Sequence, residues 1–207
     1  MSSQSTDHWE KIYASRRDDE LSWHQSQSGV SFQLITQFAK AGSSVIDIGG
    51  GSSSLAGQLL LAGLRPVTVL DIAPAALARA RNRLAPSIQA EINWRSGDVL
   101  TSPDLPSCDV WHDRAVFHFL TDTDDQTRYA EVAGRTIRPG GYLIVGTFAM
   151  DGPESCSGLP IQRYNCDSLS RVFRDVFILT LSMNETHVTP SGVKQPFVFV
   201  VMQRLPY

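Results

Sequence analysis

Long apolar runs are missing from this 207-residue chain. No stretch approaches the roughly 20 apolar residues that cross a bilayer, so no membrane partner is expected. Met1–Asp7 is polar and lacks the apolar core of a signal peptide. Cysteine is scarce: Cys108, Cys156 and Cys166 make an odd count without CxxC spacing. No metal site is expected from them, and a reducing, cytoplasmic setting fits best. A basic surplus is also absent. Eighteen Lys and Arg stand against 21 Asp and Glu, a net charge of −3, which argues against a nucleic-acid partner. Arg79, Arg81 and Arg83 fall on one helix and read as a solvated face.

What the chain does have is alternation. A β-branched run, Val45–Ile48, ends at Gly49-Gly50-Gly51, and a helix follows from about Ser53 to Ala62. Strands are read at Val67–Asp71, Ile88–Arg95, Cys108–Asp113 and Tyr142–Phe148. The helices between them run from about Pro74 to Leu84 and from Thr121 to Ile137. Pro139-Gly140-Gly141 is expected to stop the second of these. Val176–Ser182 and Gln195–Gln203 have no clear helix between them and should pair antiparallel. Such alternation calls for an α/β fold, a mostly parallel sheet with helices on both faces. Residues 1–207 read as a single domain. Within it, 1–29 form an aromatic arm that can act as a lid, and 149–164 an aperiodic substrate loop.

Ligands of these sheets bind beyond the carboxyl ends of the strands. Gly49–Ser52, Asp71, Asp98 and Asp113 all follow strands and therefore converge on one rim. A dinucleotide turn needs GxGxxG, but Ser54 stands at the third glycine position. Asp47 before the turn would repel a pyrophosphate and favour a sulfonium with an ammonium group. Asp71 suits ribose hydroxyls in either case. A nicotinamide-dependent reductase is thereby disfavoured.

VIDIGGGSS at 45–53, VTVLDIA at 67–73, SGDVL at 96–100 and RPGGYLIV at 138–145 together resemble class I S-adenosylmethionine-dependent methyltransferases, over nearly the whole chain. The resemblance implies a Rossmann-like, seven-stranded sheet of order 3-2-1-4-5-7-6, and S-adenosylmethionine as cofactor. It places Gly49, Gly50 and Gly51 at the methionine side, with Asp47 beneath. Asp71 with Ile72 falls at the ribose, and Asp98 with Val99 at the adenine. It also brings Asp113, at the end of the fourth strand, against the methionine part. WEKIYASRRDDELSWHQ and VWHDRAVFHFL look like a bacterial subgroup of these enzymes. The chain lacks the NPPY-type tetrapeptide of nucleobase amino-methyltransferases.

Methyl transfer needs a base only when the acceptor must lose a proton. Asp113, His118 and His112 are the candidates, Asp113 the preferred one. His118 reads alternatively as packed between Phe117 and Phe119. Trp23, Arg114, Arg163 and Tyr164 are the expected substrate groups, Arg114 either gripping a carboxylate or pairing with Asp113. Cys156 reads as a small buried residue and His187 as a surface or loop histidine. A small-molecule acceptor is expected. A protein lysine and cofactor binding without catalysis are the alternatives, in a monomer or homodimer.

Overall fold

The computed structural model describes residues 3–25, 29–102 and 104–206. Residues 1, 2 and 26–28 of the 1–29 arm read above lie outside them. In chain order the helices are α1 (Ser3–Ser15), α2 (Gly29–Phe38), α3 (Leu55–Leu61), α4 (Pro74–Asn82), α5 (Pro86–Glu91), α6 (Thr123–Thr136) and α7 (Cys166–Phe173). The strands are β1 (Val45–Ile48), β2 (Val67–Asp71), β3 (Ile92–Ser96), β4 (Cys108–Arg114), β5 (Ile137–Phe148), β6 (Ser155–Cys156), β7 (Leu159–Pro160), β8 (Phe177–Val188) and β9 (Lys194–Arg204).

Seven strands form one sheet, ordered β3-β2-β1-β4-β5-β9-β8. The first five are parallel, and β9 runs antiparallel between β5 and β8. With β8 and β9 as the sixth and seventh sheet strands, this is the expected order. β6 and β7 make a separate two-stranded hairpin.

β1 and β2 are buried at every residue, as strands covered on both faces must be. One face packs Ile46, Ile48 and Trp111 against Tyr129 of α6 and Phe173 of α7. The other packs Val45, Val67 and Val110 against Ile35 of α2 and Leu59 of α3. α6 is capped by Asp122, whose carboxylate accepts the Asp124 amide at 2.8 Å, before an acidic first turn that suits the helix dipole.

Three expectations need correction. Ile88–Arg95 is not one strand: Pro86 opens α5, at a position where a proline's fixed φ favours helix. The Trp94 indole then donates to the Gln89 carbonyl at 3.1 Å, fastening α5 to β3. Pro139-Gly140-Gly141 lies inside β5 instead of between elements, where β4 shifts register between Cys108 and Val110. A side chain at Gly141 would meet the Asp109 carbonyl oxygen at 2.6 Å. The sixth sheet strand runs six residues past Ser182, to Val188. Those residues are mostly polar because β8 is an edge strand with one face toward solvent.

Candidate active site

The site begins where β1 ends. Gly49 and Gly51 have φ of 64° and 52°, a left-handed backbone that glycine adopts without Cβ strain. A Cβ at Gly50 would stand 2.6 Å from both Asp47 Oδ2 and Val69 Cγ1. The loop is tied to β2 by the Gly51 amide, which donates to Asp71 Oδ2 at 2.8 Å, while Asp71 Oδ1 accepts the Ala73 amide at 2.8 Å. Burial raises the Asp71 carboxyl to about 6 against these two hydrogen bonds, with Asp47 and Glu10 adding to the rise.

The N-terminal arm closes over this loop. Glu10 accepts the Ala75 amide at 2.8 Å. Arg79 donates to the Tyr13 carbonyl and pairs with Asp18 at 3.3 Å. Arg83 binds both Asp18 and the Ser52 carbonyl. Arg79 and Arg83 are therefore clamps on the arm, which corrects their reading as a solvated face. The Tyr13 hydroxyl lies 2.6 Å from where a Cβ on Gly51 would sit. Trp9 meets Trp23 edge-on at 5.7 Å and Phe119 at 5.3 Å between ring centres.

One cavity joins these parts. Its lining includes Asp47, the three glycines, Asp71, Ile72, Asp98, Val99, His112, Arg114 and Trp23. Asp98 Oδ1 accepts the Leu100 amide at 2.9 Å, turning the chain after β3.

Alternation along β4 sorts its side chains. Val110 belongs to one core layer and Trp111 to the other, so His112 and Arg114 share a face and Asp113 points the opposite way. Asp113 is fully buried outside the cavity. It accepts the Tyr129 hydroxyl at 2.6 Å, the Val116 amide at 2.9 Å and the Phe117 amide at 3.1 Å. This corrects its assignment to catalysis and to the cofactor: its oxygens brace the turn after β4. His118 is corrected too. Its ring packs on Phe119 and Phe148, at 4.5 and 4.9 Å, outside the cavity lining. Burial and Arg114 depress it to about 3, which makes it a poor base.

His112 does face the cavity. Its Nδ1 lies 2.7 Å from Asp47 Oδ1, and its buried Nε2 has no partner among the described residues. Arg114 lines the cavity, its guanidinium stacked 4.6 Å over Phe197 of β9 and Nη1 donating to the Trp23 carbonyl at 3.3 Å. It does not pair with Asp113, because the two point to opposite faces.

Two further substrate assignments are corrected. Arg163 is spent within its own loop, on Glu154 at 2.9 Å and the Gly152 carbonyl at 3.2 Å. Tyr164 is buried in the core against Phe117. Neither lines the cavity. Of the 149–164 segment only Cys156 reaches it, buried as read, with its thiol pushed up to about 11 by burial. His187 is no surface histidine: it is buried on β8, and its Nε2 lies 2.7 Å from the Ser22 carbonyl oxygen. Tyr13, Trp9, Phe119 and His24 also line the cavity, and of these only the aromatic spacing of the arm gave any sign.

These residues fit S-adenosylmethionine. Asp47, Asp71 and Asp98 line the cavity, and the Gly51 amide is already taken by Asp71. A pyrophosphate would meet carboxylates where it needs donors, whereas a sulfonium and an ammonium group find complementary charge. If ionised Asp71 accepts the ribose hydroxyls, affinity for S-adenosylhomocysteine should rise with pH through about 6 and then level off. Titration calorimetry from pH 5 to 8 checks this, and Asp71→Asn should flatten the profile.

Comparison with known proteins agrees. A family model described as a methyltransferase domain matches residues 46–145. No curated protein sequence matches the chain. Among solved structures, a protein from work on converting a disulfide bond into a thioacetal group during echinomycin biosynthesis is 17% identical, with a TM-score of 0.78. That match covers 97% of this chain and 93% of the other. A Methanosarcina mazei S-adenosylmethionine-dependent methyltransferase is 16% identical, with a TM-score of 0.72 and coverage of 84% and 98%. The N-methyltransferase NodS of Bradyrhizobium japonicum WM9, in complex with S-adenosylhomocysteine, is 14% identical, with a TM-score of 0.65 and coverage of 96% and 99%. Family model, sheet order and cavity thus agree: residues 46–145 match a methyltransferase domain, the whole chain has the Rossmann-like fold of the class I methyltransferases, and its cavity residues fit S-adenosylmethionine.

Proposed function

We propose that this protein methylates a small-molecule acceptor, with His112 as the group that takes the acceptor's proton where one must leave. The observation that supports the acceptor class is the roof over the cavity. Trp9, Tyr13 and Trp23 lie across it, and Glu10, Asp18, Arg79 and Arg83 hold the arm in place. A protein lysine would call for an open groove.

The bound sulfonium supplies a methyl group that is already activated. The residues have the tasks of alignment, exclusion of water and, where needed, proton removal. Asp47 accepts from Nδ1 of His112 and so fixes the tautomer in which Nε2 keeps its lone pair. The described part of the N-terminal arm, residues 3–25, acts as the lid, and the 149–164 loop contributes through Cys156.

The purified protein should carry S-adenosylhomocysteine detectable by mass spectrometry, and bind it in calorimetry. Binding of NADH with no response to S-adenosylhomocysteine would reverse the reading. Asp71→Ala should weaken that binding by about 1–3 kcal/mol, the cost of unpairing buried polar groups. A methylation screen over thiols, amines, acids and peptides decides the acceptor, and turnover of peptides alone would favour the protein-lysine alternative.

A further inference from the structure

We propose that the acceptor carries a carboxylate, and that Arg114 holds it through the paired Nε–H and Nη2–H edge of its guanidinium. This inference rests on the methyltransferase reading above and names the substrate class of the same cavity.

Arg114 is the only arginine or lysine that lines the cavity among the described residues. Its three nitrogens are not equivalent. Nη1 donates to the Trp23 carbonyl, and the Phe197 ring covers the face of the group. Nε and Nη2 are buried and have no hydrogen-bond partner among the described residues. These two lie on one edge of the planar group, the edge that binds a carboxylate with two parallel hydrogen bonds. Buried donors are rarely left unmade, and a fork already oriented by stacking loses little freedom when it is filled. Glu185 acts on Arg114 electrostatically but forms no ion pair with it among the described residues; its Oε1 receives the Gln25 amide at 3.4 Å, and its buried Oε2 has no hydrogen-bond partner among the described residues.

Position separates this edge from the methyl donor. Asp71 and Asp98 follow β2 and β3, on one side of β1. Arg114 ends β4 on the other side and stacks on β9, two strands further over. His112 is two residues earlier on the same face of β4, about 7 Å away along a strand. An acceptor anchored at Arg114 therefore extends toward the candidate base. A carboxylate fits better than a phosphate, because one guanidinium balances a single negative charge and leaves a dianion half compensated.

The test uses the whole protein saturated with S-adenosylhomocysteine. Calorimetry compares benzoate, phenylacetate, indole-3-acetate and succinate with their primary amides, and benzoate with phenyl phosphate. At least one acid should bind tenfold or more tightly than its amide. Arg114→Gln should remove that preference while S-adenosylhomocysteine affinity stays within about twofold, and Arg114→Lys should restore it only in part. The acid–amide comparison in the unaltered protein stands even if a variant fails to fold. Equal binding of every acid and its amide, or tighter binding of phenyl phosphate than of benzoate, overturns the proposal. So does a loss of S-adenosylhomocysteine affinity in a folded Arg114→Gln, which would put Arg114 on the donor's own carboxylate. Failure of the unaltered protein to bind S-adenosylhomocysteine at all would instead overturn the methyltransferase reading.

Discussion

Gly51→Val is expected to weaken S-adenosylhomocysteine binding by about 100-fold or more, through strain and steric overlap together. At a φ of 52° a β-branched residue is strained, by about 1–2 kcal/mol on backbone grounds alone. Its Cβ would also lie 2.6 Å from the Tyr13 hydroxyl and 3.5 Å from Asp71 Oδ2. Relief means moving the loop away from Asp71 or the arm away from the loop, and either change reshapes the proposed donor site. Gly42→Val separates the two effects. Gly42 has a φ of 84° with nothing within 4 Å of an added Cβ, so that variant should lose stability yet bind normally. Tyr13→Phe in the Gly51→Val background should recover part of the affinity, and the double-mutant cycle measures the coupling. Undiminished binding by Gly51→Val would remove the loop from the site.

Asp113→Ala is expected to cost about 3–5 kcal/mol of folding stability near pH 5, because it leaves several buried donors without an acceptor. Tyr129, Val116 and Phe117 all donate to this carboxylate. Burial pushes its carboxyl from 3.8 up to about 6 in the fold. A carboxyl raised on folding stabilises fully below its unfolded value, and that contribution is lost as pH rises through the folded one. The penalty of Asp113→Ala should therefore be smaller at pH 8 than at pH 5, by about 1–2 kcal/mol. Urea denaturation at the two pH values checks both statements. A catalytic Asp113 would behave otherwise: the variant would remain stable and lose only turnover.

Residues close in sequence proved easiest to read. The glycine turn and Asp71 belong to one strand–turn–helix–strand unit, so their relation follows from about twenty-five consecutive residues. The sheet order came through resemblance carried by the same local segments. Faces were harder. β4 is covered on both sides, so Val110 to Arg114 shows no polar and apolar alternation from which to tell that His112 and Arg114 point into the cavity and Asp113 into the core. Contacts across the chain were harder still. Asp18 meets Arg83 across 65 positions, and His187 reaches the Ser22 carbonyl across 165. α5 was missed because a short, mixed apolar run fits helix and strand equally well.

The two-sidedness of β4 separates what the chain must keep from what it can vary. Substitutions at 113 are paid for in folding, since that side chain anchors the turn. Substitutions at 112 and 114 fall on the cavity and leave the other core layer untouched. A paired library at these two positions should therefore yield folded proteins and, if the proposed roles hold, altered acceptor preference through two choices on one face of a single strand.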